Sequence, residues 1–93
     1  MTFKNVTKGE VDQRTRASFV SRVGRGNVVK VKGLRGFKDT PMMVVKKDGG
    51  DLYVKPYDGA IASRRNYAHT IDHRAAGVKK VHTDQIVAVA TSR

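Results

Sequence analysis

The stretch from Gly26 to Tyr57, GNVVKVKGLRGFKDTPMMVVKKDGGDLYVKPY, decides the fold of this chain. It contains three short β-rich runs separated by turn residues, at 28–32, 42–47 and 52–57. Lys30 and Lys32 alternate with valines, as in a strand with one buried face. The Asp-Gly-Gly-Asp sequence at 48–51 predicts a tight hairpin, because apolar runs flank it on both sides. We therefore expect a central β-meander with lysines along its exposed side.

The nine residues after the first run, 33–41, form a loop with two apolar anchors. We expect Leu34 and Phe37 to fold back over the edge of the core and to leave Arg35 and Lys38 outside. Proline has no amide hydrogen for a strand ladder, so Pro56 is expected at a strand end or on a sheet edge.

The first 25 residues are predicted to be a basic segment with a helix over 10–22. Thr7-Lys8-Gly9-Glu10 fits a capping box, in which the first and last residues exchange hydrogen bonds. One helical face is then apolar, with Val11, Phe19, Val20 and Val23. An extended segment is the alternative, since residues 17–23 also alternate as a strand.

Four arginines in this segment have two interpretations, namely Arg14, Arg16, Arg22 and Arg25. The helical pattern points Arg14, Arg16 and Arg22 away from the apolar face. The segment then either presents a second basic surface or caps one end of the β structure.

The C-terminal third begins with residues 63–77, which show no regular period and are predicted to be a long loop. A short strand over 78–82, a tight turn at 82–85 and a buried strand over 86–90 follow. Five short strands within about 65 residues favour a small closed barrel, because closure removes exposed strand edges. The predicted fold class is therefore mainly β, with a barrel domain at 26–93 behind the N-terminal segment 1–25.

This order of elements resembles the SH3-like barrels, and within them the KOW/Tudor-like group. The similarity rests on the opening strand Gly26–Gly33, on Gly36 in the loop, on the hairpin over 43–53 and on the turn and closing strand over 81–87. It covers about two-thirds of the chain, residues 26–90. The resemblance implies a five-stranded barrel that binds RNA, DNA or transcription machinery through its loops and an exposed sheet face, without catalysis.

The charge balance points to a polyanionic partner. Nineteen lysines and arginines face eight acidic residues, for a formal net charge of +11 on 93 residues. Self-repulsion at this charge destabilises a compact domain, so a binding role is the natural explanation. Nucleic acid is the first candidate, and an anionic membrane surface or an acidic protein is the second.

The rest of the composition excludes other classes. The chain has no cysteine, which excludes disulfides and thiolate metal sites. No apolar run approaches the ~20 residues that span a bilayer, and the first residues lack the apolar core of a signal peptide. We expect a cytoplasmic, nucleoid-associated protein with no membrane partner.

The candidate nucleic-acid-binding residues are basic, with one aromatic among them. They are Lys30, Lys32, Arg35, Lys38, Lys46, Lys47, Lys55, Arg64, Arg65, Tyr67, Arg74, Lys79 and Lys80. Such groups neutralise phosphates and release counterions, although a merely solvated basic face is the alternative. Tyr67, beside two arginines, is the best candidate for stacking on a base. The scarcity of aromatic residues favours binding to the backbone of duplex nucleic acid, with weak sequence preference.

Catalysis, metals and cofactors are not expected. The chain contains no Gly-x-Ser-x-Gly motif and no Gly-Lys-Ser/Thr phosphate loop. His69 and His73 have the four-residue spacing of some zinc ligands, but two histidines on a basic loop, near His82 and Asp84, are a weak metal signal.

Two functional hypotheses follow. The first is non-sequence-specific binding of duplex DNA by a nucleoid-associated or transcription-modulating accessory protein, with Lys30, Lys32, Lys46 and Lys47 among the contacts. The second is an adaptor that docks on RNA polymerase or another acidic protein through the loop Leu34–Pro41. An RNA- or ribosome-binding role lies between them, because RNA presents the same phosphates.

Overall fold

The described residues, 2–57 and 70–91 of a computed structural model, form one antiparallel sheet with one α-helix. The strands are β1 (Phe3–Asn5), β2 (Val28–Val31), β3 (Met42–Asp48), β4 (Asp51–Pro56), β5 (Lys79–His82) and β6 (Ile86–Ala90). The helix α1 spans Gln13–Ser21, and a 3₁₀ turn, η1, spans Thr83–Gln85. In space the strands follow the order β1-β6-β2-β3-β4-β5. The mainly β prediction is confirmed.

The sheet is open, so the expectation of a closed five-stranded barrel is wrong. The additional strand is β1, whose Phe3 pairs with Ala90 of β6. Because β2 occupies the other edge of β6, no edge of β6 is left to pair with β5. Within residues 2–57 and 70–91, β1 and β5 are the outer strands.

The central meander follows the prediction closely. Strands β3 and β4 pair up to Asp48 and Asp51, and Gly49 in the turn has a φ of 60°. The 82–85 turn is also as predicted, because η1 connects β5 directly to β6. Pro56 ends β4, as the missing amide hydrogen requires.

The main core lies between the sheet and α1, and we call this side of the sheet the inner face. Its fully buried members come from almost every strand and include Val29, Val44, Leu52 and Ile86. The apolar face of the helix packs against them, as predicted, with Val11, Phe19, Val20 and the buried Val23. Val6, which follows β1, is completely buried in the same core.

The helix is shorter than the predicted 10–22, and its N-cap differs from the one expected. Asp12 is the N-cap, and its Oδ1 accepts a hydrogen bond from the Thr15 amide at 2.6 Å. The predicted capping box is wrong, because the Thr7 hydroxyl instead donates to the Val87 carbonyl and Glu10 accepts from the Asn5 side chain. The strand alternative for 17–23 is also excluded, since these residues belong to α1 and the turn after it.

The opposite side of the sheet, the outer face, carries a second and smaller core. Met43 and Val45 of β3 are buried there, under Tyr53, Tyr57, Ile71 and Val78. Residues 70–77, the described part of the predicted loop 63–77, contain no helix or strand. This segment covers the outer face of β3 instead of projecting from the domain.

No helix within residues 2–57 and 70–91 is long and apolar enough to cross a membrane.

Candidate nucleic-acid interface

A β-bulge in β3 determines which face of the sheet Lys46 and Lys47 each lie on. Val44 pairs with Val54, and Lys46 already pairs with Tyr53, so Val45 is the extra residue. A bulge re-aims the side chains that follow it. Val45 and Lys46 therefore line the same cleft on the outer face. Lys47 turns to the inner face, where its Nζ donates to the Val20 carbonyl of α1 at 3.3 Å.

Four lysines from four adjacent strands share the outer face, and we call them the outer-face lysines. Lys30 of β2 alternates with Val29 and Val31, which belong to the main core. Lys55 of β4 pairs with Met43 of the second core. Directly opposite residues in an antiparallel sheet share a face. Lys46 of β3 and Lys80 of β5 both pair with Tyr53 of the second core. The outer-face lysines are Lys30, Lys46, Lys55 and Lys80.

The surroundings of the outer-face lysines differ. The Nζ of Lys30 lies 4.5 Å from the centre of the Phe3 ring, and the Nζ of Lys80 lies 3.6 Å from Asp51 Oδ2. Both contacts are at the surface and contribute little stability. Lys46 has no hydrogen-bond or ion-pair partner for its ammonium group among the described residues. Its charge is therefore available to an external anion.

A second group of cations lies at the loop 33–41 and is separate from the outer face. Lys32 directly follows the last residue of β2 and lies beside this loop. Lys32, Arg35 and Lys38, which we call the loop cations, are exposed around a cleft of about 550 Å³. Leu34 and Phe37 pack against the main core, as predicted.

Lys79 belongs with neither group. It pairs with Val54, which lies in the main core, so its side of β5 is the inner one. Its Nζ lies 6.0 Å from the centre of the Phe37 ring. Lys79 and Lys80 therefore point to opposite faces of the sheet, as consecutive residues of a strand must.

Arg74 lies in the segment over the outer face and forms an ion pair. Its Nε is 3.3 Å from Asp72 Oδ1, and its amide donates to the same carboxylate at 2.8 Å. The hydrogen bond from the Arg74 amide, and to a smaller extent the one from its side chain, lower the pKa of the Asp72 carboxyl. The adjacent His73 meets Tyr53 edge-on, with ring centres 4.8 Å apart. The predicted contacts Arg64, Arg65 and Tyr67 lie outside the described residues.

The N-terminal segment was expected either to cap the β structure or to present a second basic surface, and its arginines have different positions. Arg16 is buried, and its guanidinium donates to the carbonyls of Val6, Ile86 and Thr83 at 2.6, 2.7 and 2.9 Å. The segment is therefore a cap over the inner face, and the expectation that Arg16 points away is wrong. Arg14 and Arg22 are exposed.

Arg25 reaches the outer face, which sequence reasoning missed. Its Nε donates to the Val45 carbonyl at 3.1 Å, and it lines the same cleft as Lys46. Nothing in the sequence pattern around Arg25 indicated this contact, because it depends on the path of the chain between α1 and β2. The structure thus adds a cation to the outer face.

The histidines have structural contacts. Nδ1 of His82 accepts from the Asp84 amide at 3.1 Å and caps η1. Residues 2–57 and 70–91 contain no group of three or more His, Asp or Glu side chains arranged to hold a metal ion, and His69 lies outside these ranges.

Comparison with family models, with curated proteins and with solved structures found no match to this chain. A function is therefore inferred from the arrangement of the charged groups on the sheet.

Proposed function

We propose that this protein binds nucleic acid without catalysis and without strong sequence preference, with duplex DNA as the favoured partner. The observation that carries the proposal is the convergence of the outer-face lysines from four neighbouring strands, on a chain with a net charge of +11. In a cell this activity fits a nucleoid-associated or transcription-modulating accessory protein.

The dimensions of the face suit a phosphate backbone. Four adjacent strands extend about 14 Å across the sheet at ~4.8 Å per strand. Duplex DNA carries one negative charge per ~1.7 Å of its axis, so several phosphates come within reach of lysines at this spacing. Lysine contacts a phosphate as a point charge and reads no base. Weak sequence preference is the expected consequence.

The aromatic residues support duplex binding over binding of single strands. Tyr53 and Tyr57 pack in the second core, and Phe37 packs against the main core. Single-strand binders need exposed rings on which bases stack. Of the aromatic residues, only Phe3 lies on the outer face without belonging to either core in the described part of the chain.

An SH3-like relationship forms part of the proposal. In its favour, β2 to β5 are consecutive neighbours, η1 follows β5, and β6 returns to pair with β2. This is the short turn and closing strand on which the resemblance rests. The strand β1 and the cap built by α1 are then additions to such a module.

A salt-titrated competition tests the function. Labelled duplex DNA is bound at low salt and challenged with matched duplex RNA and with single strands. We expect preference for duplex DNA and a log-affinity that falls linearly with log salt concentration, by about 0.9 per phosphate contact. Preference for RNA would move the assignment to an RNA- or ribosome-binding role. Absence of binding to every nucleic acid at low salt would reject the proposal and leave an acidic protein as the partner.

A further inference from the structure

A polar cleft of about 390 Å³ opens on the outer face between β3 and the segment 70–74. Its lining brings together four basic side chains from three separate parts of the chain. They are Arg25, Lys46, His73 and Arg74. Thr70 and Asp72 add further polar groups to the described part of the wall, and Val45 and Ile71 add apolar ones.

The cleft is held by backbone contacts to β3. The Gly26 amide donates to the Val44 carbonyl at 2.8 Å, next to the bond from Arg25 to Val45. These bonds fix the guanidinium of Arg25 beside the bulge. The same bulge turns Lys46 toward the cleft, where no described residue pairs with its ammonium group.

Basic side chains outnumber acidic ones among the described residues of the cleft. Among the described residues that line it, Arg25, Lys46 and Arg74 are cationic and Asp72 is acidic. Asp72 is held by Arg74, through the ion pair already described. Lys46, whose ammonium group has no partner among the described residues, is therefore the cation that an incoming anion would meet first.

We infer that this cleft binds a phosphate group. An arginine held by its Nε and a lysine without a partner provide one directional and one point-charge contact to a tetrahedral oxyanion. The inference rests on the proposed function for its preferred source, a phosphate of the nucleic-acid backbone. A free phosphate-bearing small molecule offers the same chemistry and is the other source.

Nuclear magnetic resonance on the full chain tests the site with inorganic phosphate as the probe. Phosphate replaces chloride at constant pH and ionic strength, and the signals of the His73 ring and of Arg25 Nε–H are followed. We expect both to move saturably with phosphate. Shifts that are equal in phosphate and chloride would overturn the inference.

Matched variants localise the effect. Lys46→Gln removes a cation without a partner, so it leaves the fold intact, and we expect phosphate affinity to fall by up to about fivefold. The control Lys4→Gln removes the same charge from β1, where Lys4 is exposed and pairs with Val89 of the main core. An equal loss in both variants would reject the cleft in favour of a diffuse charge effect.

The source of the phosphate is assigned with duplex DNA and the same two variants. If the nucleic-acid backbone occupies the cleft, Lys46→Gln lowers the slope of log affinity against log salt concentration by about 0.9, the value for one phosphate contact. Lys4→Gln leaves this slope unchanged. A phosphate-specific shift without any nucleic-acid binding at low salt supports the site, assigns it to a small molecule and rejects the proposed function. Nucleic-acid binding without a phosphate-specific shift rejects the site alone.

Discussion

Arg16 and Ile86, seventy residues apart, are joined by a 2.7 Å hydrogen bond from the guanidinium Nη1 to the Ile86 carbonyl. The same guanidinium also reaches the carbonyls of Val6 and Thr83. One side chain of α1 thus connects the end of β1, the turn η1 and the start of β6. Charge-assisted bonds of this kind are stronger than neutral ones, and the burial of Arg16 shields them from water.

The first prediction concerns the stability that Arg16 supplies. We expect Arg16→Met to lower the free energy of unfolding by about 2–4 kcal/mol, because it removes three charge-assisted hydrogen bonds, two of them buried. Urea denaturation followed by circular dichroism measures the loss. Arg14→Met, on the exposed side of the same helix, is the control and should stay within about 0.5 kcal/mol of the parent. Similar losses in the two variants would show that Arg16 acts only through its charge.

A second prediction separates two neighbouring lysines by face. Lys46→Gln should weaken duplex DNA binding and lower the salt slope by about 0.9, because Lys46 lies on the outer face. Lys47→Gln should leave the slope unchanged, because Lys47 donates to the Val20 carbonyl on the inner face. Fluorescence anisotropy at several salt concentrations measures both. Equal slopes for the two variants would exclude the outer face as the binding surface.

Much of the fold could be predicted because it follows from local chemistry. Alternating valines indicated β2, the glycines at 49 and 50 indicated the hairpin, and the turn before β6 appeared where expected. The strand β1 was missed, because its three residues are too few to show the alternation of apolar and polar residues that is typical of a strand. Their pairing with β6 is a contact between the two ends of the chain, and it is also what leaves the sheet open.

The candidate site was harder to predict than the fold. The bulge at Val45 reverses the facing of Lys46 and Lys47, and simple alternation does not reveal a bulge. Arg16 did carry a readable signal, since it lies three, four and seven residues before Phe19, Val20 and Val23. That spacing places it on the apolar face of α1. Its charge led to the wrong expectation, because arginine is seldom buried.

A third prediction concerns the close approach of Gly50 to His82. A Cβ at Gly50 would lie 2.7 Å from His82 Nε2, and the ring is held in place by its bond to the Asp84 amide. We expect Gly50→Ala to destabilise the protein by about 0.5–1.5 kcal/mol, because the His82 ring must move and lose its hydrogen bond to the Asp84 amide. The measurement is a double-mutant cycle with His82→Ala, in which the cost of Gly50→Ala should shrink once the ring is absent. A cost that is the same in both backgrounds would locate the strain in the backbone of the hairpin instead.

The last prediction concerns acid and the N-cap of α1. The hydrogen bond from the Thr15 amide lowers the pKa of Asp12 below its ordinary value of 3.8. A carboxylate with a lowered pKa in the folded state stabilises the protein above pH 3.8, and this contribution is lost as the pH falls through the folded-state pKa.

We therefore expect Asp12→Ala to be less stable than the parent at neutral pH, because the helix loses its cap. The difference between the two urea midpoints should shrink as the pH falls from 7 through the folded-state pKa of Asp12, because the parent carboxyl then becomes protonated as well. Asp12→Asn is the control, because its amide oxygen still caps the helix and does not titrate. A gap between the parent and Asp12→Ala that stays constant over this range would show that the ionised form of Asp12 contributes nothing to the helix.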